Sequence, residues 1–404
     1  MGRFEYLLAS GFLRLLRAAF SILPVRPRRV VLATARTPVL DGNLLHVYNE
    51  MRRAHPELEY VLLLEPYSYG LRAKLAYLVR LVRGMFYLRT ARLFIVDNAY
   101  FPIHVAPPGA GTTVVQVWHA AGALKRFGLD TPTPVAEPER TFLHRNYDYV
   151  VVGGQASRQP YAAALRTPIA CVLALGSPRT DFFFDAEAMA GARARLLAAH
   201  PQLDGRRVVL YAPTFRGRGE AKRAAAGFDA ARLRAALPAD HALVLKTHPN
   251  LDPAATPTQG YDAVIDPATE INELFTLTDI LVTDYSSSLF EWALLRRPLV
   301  LLTGDLADYE IDPGLYLDYR TEMIGTQVTD TDGIAAAIAA GEFDLSGYDA
   351  FIEHHLGASR GDASAAFVSH FLGGATVQVH SRSAAGATAE TLGGDRLRSH
   401  VSHE

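Results

Sequence analysis

The stretch DILVTDYSSSLFEW, residues 279–292, shows a change of hydrophobic period that indicates the fold class. Residues 280–282, Ile-Leu-Val, form the short apolar run of a buried strand. From Ser288 onward the apolar residues recur three and four positions apart, which is helical spacing. Ser288 and Glu291 also have the spacing of a capping box, so we predict that a helix begins at Ser288. The stretch therefore predicts a strand that leads through a short polar turn into a helix.

The three serines of this turn, Ser286, Ser287 and Ser288, have two possible roles. They can be ordinary residues of a well-capped strand-to-helix turn. Alternatively, their hydroxyls and the free N–H groups at the helix start can form a socket for a phosphate group. The turn alone does not decide between these roles, which depend on what the rest of the chain places beside it.

Length and composition limit the class of protein. With 404 residues, the chain is too long for one ordinary core, so we expect two domains. Apolar residues make up 49% and charged residues 20%, which is typical of a globular protein. The single cysteine, Cys171, excludes a disulfide framework and a cysteine-based zinc site. It suits a reducing compartment, and its apolar neighbours predict a buried packing role.

The formal charge of −2 conceals a basic first hundred residues, with fifteen Lys and Arg against seven Asp and Glu. Much of this charge lies in residues 1–25 and 71–94, where arginines alternate with aliphatic and aromatic residues. Arginines inside the first segment argue against a membrane-spanning helix and a signal peptide. We expect an amphipathic helix on an anionic membrane surface, the alternative being a helix packed on its domain with its arginines in water. Nucleic acid is not an expected partner, because no binding motif accompanies the charge.

Strand and helix patterns alternate along the chain and restart after residue 175, which predicts two parallel-sheet α/β halves. The predicted strands are 28–35, 60–65, 91–98, 112–120, 148–154, 206–214, 241–249, 263–267, 279–285 and 297–304, with helices at 42–55 and 71–84. We predict two Rossmann-like domains, 26–174 and 175–373, preceded by an amphipathic helix in residues 1–25. The small, polar and aperiodic residues 374–404 predict a disordered tail.

Polar and basic residues follow several of these strands. They are Trp118-His119 with Lys125 and Arg126, Thr214 and Arg216, Lys246 and His248, and Asp284 with the three serines. Ligands of open α/β sheets bind beyond the carboxyl ends of the strands, so these residues predict one site. Histidines for proton transfer and fixed cations for phosphates suit the transfer of a phosphorus-centred group.

Each of these residues also has a plainer interpretation. A histidine at a strand end is more often a structural hydrogen-bond partner than a catalyst, and Arg216 can be a surface residue of a basic loop. Asp279 and Asp284 could be metal ligands. Their spacing of five along a strand directs them to opposite faces, so we favour the interpretation without a metal. Only the joint occurrence of the residues favours a site.

Seven motifs in a fixed order strengthen that interpretation. They are WHAAGALKRFG (118–128), LGSPRTD (175–181), LYAPTFR (210–216), LKTHPN (245–250), INELFTLTDILVTDYSSSLFEWALLRRPLV (271–300), GDLADYEIDPGLYLDY (304–319) and GDAS (361–364). In these motifs the chain resembles the CDP-glycerol glycerophosphotransferases, bacterial enzymes that build teichoic acids. The resemblance covers about residues 112–370, whereas residues 1–111 match only in their strand–helix pattern.

The resemblance implies a glycosyltransferase-B-like fold, with CDP-glycerol bound mainly by the second half and the acceptor by the first. It implies that His119 is the general base for the acceptor hydroxyl and that His248 contacts the donor phosphate. Ser286, Ser287 and Ser288 would hold a phosphate or the ribose, Arg216 would add positive charge near the diphosphate, and Ser364 would contact the glycerol-phosphate end. The substrate-binding set is completed by Lys125, Thr214, Lys246, Asp284 and Glu291. We expect neither an organic cofactor nor an obligatory divalent metal.

Two departures from the family pattern are informative. The chain has GDAS where members commonly carry a lysine before Ala-Ser, which leaves Asp362 without a role. Trp118-His119-Ala120-Ala121-Gly122 resembles the primase branch, which adds the first glycerol phosphate, rather than polymerases with Trp-His-Gly-Thr. We therefore expect a single addition to a lipid-linked disaccharide, on undecaprenyl diphosphate, at the cytoplasmic face of the membrane.

Several alternatives remain open at this point. The chain could be a glycerol- or ribitol-phosphate polymerase of the same family, a glycosyltransferase that uses a nucleotide-sugar, or an inactive membrane scaffold. A scaffold would be expected to lack one of the motif residues, and none is missing. A homo-oligomer is possible.

Overall fold

The computed structural model describes residues 3–65, 71–132, 142–216, 223–224, 227–246 and 258–373. The predicted disordered tail, 374–404, lies outside the described residues, as does His248. Within the described part of the chain, no helix is both long enough and apolar enough to cross a membrane.

The first half folds around a six-stranded parallel sheet in the order β2-β1-β3-β4-β5-β6. The strands are β1 (Arg26–Thr34), β2 (Glu59–Leu64), β3 (Ala91–Val96), β4 (Thr113–Gln116), β5 (Tyr149–Val152) and β6 (Val172–Ala174). Helices span Arg3–Ala19, Gly42–Ala54, Leu71–Thr90, Phe101–Val105 and Arg158–Ala164. The central strands are buried on both faces, as their continuous apolar runs require.

The second half contains another six-stranded parallel sheet, in the order β11-β10-β7-β12-β13-β14. Its strands are β7 (Arg207–Tyr211), β10 (His241–Lys246), β11 (Ala263–Ile265), β12 (Thr278–Thr283), β13 (Leu299–Leu302) and β14 (Thr326–Val328), while β8 (Phe215–Arg216) and β9 (Arg223–Ala224) pair separately. Helices span Ala186–Ala199, Ala230–Ala236, Ile271–Leu274, Ser288–Ala293, Leu306–Ile311, Thr331–Ala340, Tyr348–Leu356 and Ala363–Leu372. Counted along the chain, this strand order is that of the dinucleotide-binding Rossmann fold. The prediction of two parallel α/β halves is confirmed.

The N-terminal helix, Arg3–Ala19, packs on the first domain through one of its faces. Tyr6, Ser10 and Leu13 are buried, whereas Leu8 and Leu15 are exposed. Ser10, which has helical spacing from Arg14 and Arg17 in the sequence, is therefore buried against the domain, whereas those two arginines are exposed. The sequence alone does not show which face of the helix the domain covers, because apolar residues lie on both faces.

The last helix, Ala363–Leu372, returns to the first domain. Phe367, Val368 and Phe371 pack in the same core cluster as Val30 and Leu32 of β1. The backbone N–H groups of Ala363 and Ser364 donate to the carboxylate of Asp181, at 2.9 and 2.8 Å, so this side chain caps the helix from outside. The last described helix thus covers part of one face of the first sheet.

A loop of the first half, residues 118–128, packs into both domains. Ala121 and Leu124 belong to the core of the second sheet, whereas Trp118 and Phe127 pack against that of the first. The Leu124 carbonyl accepts from the Tyr316 N–H at 2.9 Å, and the Arg126 N–H donates to the Gly314 carbonyl at 2.9 Å. These contacts join the two domains through the loop that carries His119.

Burial of His355 should make the stability of the fold depend on pH. Its ring lies against Phe351 and Phe290, with centroids 4.4 and 5.2 Å apart, and burial lowers its pKa to about 4. Between pH 6.5 and 4 the unfolded chain therefore binds a proton at this site that the folded chain does not, and stability falls as the pH falls. The full effect of this one site is about 3 kcal/mol.

We predict that His355→Phe flattens this dependence. As the pH is lowered from 7 to 4.5, the urea-unfolding midpoint of the wild type should fall more steeply than that of the variant, so that the variant gains stability relative to the wild type. Parallel curves for the two proteins would contradict the prediction.

Candidate active site

The candidate site lies where ligands are expected to bind in sheets of this kind. The strand order reverses between β1 and β3 in the first sheet and between β7 and β12 in the second. In open α/β sheets the crevice beyond such strand ends is the usual ligand site. The predicted residues Thr214 and Asp284 follow the second pair directly, and His119 lies in the loop after β4.

Asp284 joins the two switch-point strands of the second domain. Its Oδ1 accepts from the Thr214 N–H at 2.8 Å, and its Oδ2 accepts from the Thr214 hydroxyl at 3.0 Å. The Arg216 Nη1 lies 2.8 Å from the same Oδ2, and the Arg216 Nε donates to Asp305 at 2.6 Å. Asp284 is therefore a buried structural hub, and the positive charge of Arg216 is shared between two carboxylates.

Two tyrosines and a lysine surround the Arg216 guanidinium. It lies over the Tyr285 and Tyr309 rings, 5.2 and 4.9 Å from their centroids. Lys125, from the first half of the chain, places its Nζ 5.3 Å from the Tyr309 centroid. Burial lowers the pKa of Lys125 to about 8, so its amino group is mostly protonated at neutral pH. The two halves thus bring two cations to one aromatic ring.

The serine turn is largely as predicted, with one correction. The helix begins at Ser288, and the Ser286 and Ser288 hydroxyl oxygens are 2.8 Å apart. The capping-box prediction is wrong, because Ser287 is the N-cap and makes no side-chain capping bond. Glu291 instead lies 3.5 Å from the Arg179 Nε and is almost fully buried, so it is not exposed for direct substrate contact.

The remaining predicted substrate-binding residues occupy separate positions. Lys246 ends β10, and its Nζ donates to the carbonyls of Pro267 at 2.6 Å and Asp266 at 3.3 Å. Burial lowers its pKa to about 8. The Ser364 hydroxyl is buried and has no hydrogen-bond partner among the described residues. His248 lies outside the described residues, so its predicted role stays a prediction.

The ring of His119 is held in one tautomer. Its Nδ1 is 3.0 Å from the Asp97 carbonyl oxygen. Because a carbonyl only accepts, Nδ1 carries the proton and Nε2 keeps a free lone pair in the neutral ring. Burial, together with the charges of Arg36 and Arg179, lowers the pKa of His119 to about 4. The ring is therefore neutral at physiological pH and can accept a proton at Nε2.

The backbone around His119 is fixed residue by residue. Trp118 has a left-handed φ of 49°, which is unfavourable for a bulky residue and has to be held in place. Its N–H donates to the Gln116 side chain at 2.9 Å, and its ring stacks on His119 at 4.6 Å. The Asn43 Nδ2 donates to the Val117 and Trp118 carbonyls, at 2.9 and 3.1 Å.

Arg179 completes this arrangement, since its Nη1 donates to the His119 carbonyl at 3.2 Å. Its backbone N–H donates to the Asn43 Oδ1 at 3.0 Å, and the Ser177 hydroxyl donates to the same oxygen at 3.0 Å. All the hydrogen-bonding groups of the Asn43 side chain are thereby used. Arg179 also forms salt bridges with Glu270 and Glu291 of the second domain.

Sequence reasoning missed these supporting residues. Asn43 and Asp97 lie at an ordinary helix start and strand end, and no local pattern marks them as partners of the loop after β4. Arg179 lies in the motif LGSPRTD, so it was within a segment singled out without a role. The presence of an arginine in this motif, to which no chemical role had been given, was the only feature of the sequence that could have pointed to Arg179.

The two aspartates weighed as metal ligands have different partners. Asp279, near the start of β12, accepts from the Val208 N–H at 2.7 Å, whereas Asp284 follows the end of the strand. Among the residues that the structure describes, no three His, Cys, Asp or Glu side chains converge as a metal site would require.

Comparison with known proteins identifies the family of the chain. Residues 15–370 match the family described as CDP-Glycerol:Poly(glycerophosphate) glycerophosphotransferase. The chain belongs to this family. Its relatives are teichoic acid primases and polymerases, which makes it a member of a family of phosphotransferases.

The chain is similar to three individual proteins in sequence or in structure. A teichoic acid ribitol-phosphate primase of Bacillus spizizenii is 33% identical over 365 residues, covering 87% of this chain and 93% of that protein. A teichoic acid poly(ribitol-phosphate) polymerase of the same species is 32% identical over 351 residues, covering 85% of this chain and 56% of the polymerase. The structure of the wall teichoic acid polymerase TagF superposes with a TM-score of 0.69 at 20% identity, covering 91% of this chain and 96% of that one, which supports the fold.

The contact between Gly122 and Phe290 gives a test of the domain junction. A Cβ added to Gly122 would lie 2.6 Å from a ring carbon of Phe290, so the ring or the loop would have to move. We predict that Gly122→Ala lowers the thermal midpoint, with a destabilisation of about 1–3 kcal/mol from overpacking.

A matched control is Gly191→Ala, whose added Cβ would have its nearest neighbour at 3.5 Å, at the flexible end of Arg195. This variant should be as stable as the wild type or slightly more stable. The double variant Gly122→Ala/Phe290→Leu should recover part of the loss. Equal midpoints for the wild type and Gly122→Ala would show that the junction is not tightly packed.

Proposed function

We propose that the protein transfers one polyol phosphate from a CDP-activated polyol to a hydroxyl group of a lipid-linked saccharide and releases CMP, in teichoic acid biosynthesis. The acceptor oxygen attacks the phosphorus that bears the polyol, the bond from this phosphorus to CMP breaks, and the acceptor proton passes to the enzyme. The observation that carries the proposal is His119, a neutral imidazole with a free Nε2, in a member of a phosphotransferase family.

The identity of the polyol is the open part of this proposal. The sequence motifs favoured CDP-glycerol as donor. The similarity to a ribitol-phosphate primase, which extends over 93% of that relative, supports CDP-ribitol instead. It also supports a primase-like single addition over polymerisation. We therefore propose a ribitol-phosphate primase, with glycerol phosphate as the competing substrate.

His119 has the geometry of a general base. An alcohol does not ionise at neutral pH, so its attack on a phosphate anhydride benefits from a base beside it. The Asp97 carbonyl keeps the proton on Nδ1, which leaves Nε2 to take the acceptor proton. A bound diphosphate would add negative charge nearby and raise the pKa of His119 from its low value towards the working pH.

The cations of the site suit a diphosphate. Arg216 is already balanced by Asp284 and Asp305, so we assign it the role of ordering the site. We expect Lys125 and Lys246 to supply most of the free positive charge, with the hydroxyls of residues 286–288 as hydrogen-bond donors to a phosphate or the ribose. His248 remains our candidate for a second donor contact, and Ser364 for the polyol end.

The proposed reaction can be tested by weighing its product. The protein is incubated with a lipid-linked disaccharide in vesicles and with CDP-ribitol, CDP-glycerol or UDP-glucose in parallel. We expect CMP release and a mass increase of one ribitol phosphate, with CDP-glycerol less effective and UDP-glucose inactive. Transfer of glucose alone would identify a nucleotide-sugar glycosyltransferase, and a ladder of masses would identify a polymerase.

His119→Ala should lose on the order of 10²–10⁴-fold in turnover, the usual contribution of a general base. Its affinity for CDP should stay close to that of the wild type, because His119 belongs to the acceptor half. The exposed His370, on the outer face of the last helix, offers a matched control. If His119→Ala and His370→Ala turn over equally fast, His119 is not the base.

We also propose that the protein works at the cytoplasmic face of the membrane as a peripheral protein. The outer face of the N-terminal helix exposes Leu8 and Leu15, and Ile22 beyond it is 86% exposed. Leu78 and Val79 on the neighbouring helix Leu71–Thr90 are exposed as well. Apolar side chains among arginines suit the interface of an anionic bilayer.

Substitution tests this more cleanly than deletion of residues 1–23, because Leu13 in that segment is part of the core. We predict that Leu8→Ser/Leu15→Ser/Ile22→Ser reduces binding to phosphatidylglycerol vesicles by about tenfold or more, since each leucine contributes about 1.5–3 kcal/mol on full burial. Sedimentation with vesicles measures the bound fraction.

Ile311→Ser is the control, because Ile311 is 73% exposed on a helix of the second domain. High salt should weaken binding of the wild type partly, as surface charge attraction is screened. If the triple variant sediments with vesicles like the wild type, the N-terminal helix does not mediate binding.

A further inference from the structure

We propose that Arg179 is a positioning residue that couples the His119 backbone to the helix Ser288–Ala293, which begins at the last of the three donor-site serines. The inference rests on the proposed function, and it concerns how His119 and the donor-site serines are held at a fixed distance from each other. Arg179 lies in the seven-residue 3-10 helix Pro178–Phe184, which follows β6 at the passage from the first domain to the second.

On the first-domain side, Arg179 supports the base through the main chain. Its Nη1 donates to the His119 carbonyl at 3.2 Å, and its own N–H is held by Asn43 at 3.0 Å. The Asn43 Nδ2 in turn donates to the carbonyls of Val117 and Trp118, the two residues that precede His119. Three consecutive carbonyls, of Val117, Trp118 and His119, are therefore held by the side chains of Asn43 and Arg179, and the Asn43 side chain also fixes the main chain of Arg179.

On the second-domain side, the same guanidinium reaches two carboxylates. Its Nη2 pairs with Glu270, and its Nε lies 3.5 Å from the Glu291 Oε1. The Arg179 side chain is 12% exposed and that of Glu291 is 2% exposed, so this pair is shielded from water. Glu291 belongs to the helix Ser288–Ala293, whose first residue is one of the three donor-site serines.

A second contact joins the same two elements. Phe290, the neighbour of Glu291 on this helix, packs against Gly122 so closely that an added Cβ would be 2.6 Å from its ring. The helix therefore contacts the loop 118–128 directly at Gly122, and it is linked to the His119 carbonyl through Glu291 and Arg179. A shift of the serines is transmitted to His119, and a 1 Å misplacement of a reacting group can cost about 10²-fold in rate.

A purely structural role makes a different prediction from a positioning role. Removal of the Arg179 charge alone leaves the buried Glu291 unpaired, which is strongly destabilising in itself. The double variant Arg179→Met/Glu291→Gln removes both charges, and the half-exposed Glu270 can be solvated. If Arg179 only compensates charge, the double variant should regain both stability and turnover.

The experiment compares the wild type, Arg179→Met, Arg179→Met/Glu291→Gln and Arg297→Met. Arg297 is the matched control, because its guanidinium, like that of Arg179, donates to main-chain carbonyls. Its Nη1 donates to those of Phe275 and Thr278, at the opposite end of β12. Thermal midpoint, CDP affinity and kcat for polyol-phosphate transfer are measured for each. Hydrogen exchange of peptides covering residues 117–124 is followed by mass spectrometry.

We expect the double variant to melt at a higher temperature than Arg179→Met and to bind CDP within about threefold of the wild type. Its kcat should remain about 10–100-fold low, and residues 117–124 should exchange faster. Arg297→Met should change neither kcat nor this exchange. Wild-type kcat and exchange in the double variant would overturn the inference.

Failure of the proposed function would give a distinct result. In that case the wild type transfers no polyol phosphate from either CDP-polyol. The exchange of residues 117–124 still decides the inference, because it reports the support of the loop without any turnover.

Discussion

The arrangement of this protein depends on one loop that is shared by two hydrophobic cores. Residues 118–128 place Ala121 and Leu124 in the core of the second sheet and Trp118 and Phe127 against the core of the first. Neither domain can complete its packing without this loop, and the loop cannot follow one domain alone. The base candidate at its start is therefore located by both domains at once, which is what transfer between two bound substrates requires.

Electrostatic balance is the second organising feature of the cleft. Three arginines each contact two carboxylates: Arg36 with Asp41 and Asp97, Arg179 with Glu270 and Glu291, and Arg216 with Asp284 and Asp305. Such groups order the cleft but bring no net positive charge to it, since each arginine faces two carboxylates. The lysines differ, because Lys125 contacts an aromatic ring and Lys246 contacts main-chain carbonyls. A phosphate would therefore find its positive charge at the lysines.

The sequence was sufficient for features that depend on local pattern. The apolar run before Asp284 and the change of period at Ser288 predicted a strand and a helix that the structure contains. The grouping of Thr214 and Asp284 followed from the geometry of parallel sheets, whose carboxyl ends share one edge. Their hydrogen bonds to each other fulfil that expectation.

Features that depend on a tertiary partner could not be predicted in this way. The spacing of Ser288 and Glu291 suits a capping box, but Arg179 attracts the carboxylate more strongly than a helix N–H does. Ser10 has helical spacing from Arg14 and Arg17, yet it lies on the face of the helix that the domain covers. Asn43 bonds residues more than seventy positions away, and no window of sequence contains both partners.

The return of the last helix to the first sheet has a consequence for the synthesis of the protein. Phe367 and Phe371 are needed to cover the face of the sheet that includes Val30 and Leu32, which are translated more than three hundred residues earlier. Leu44 and Val47 of the helix Gly42–Ala54 pack in the same cluster, but the part of the face that the last helix covers stays open to water and to other nascent chains until the end of the described chain has left the ribosome. At ordinary elongation rates of about 5–20 residues per second, this interval is some tens of seconds. The first domain is therefore the first to be made and the last to be finished.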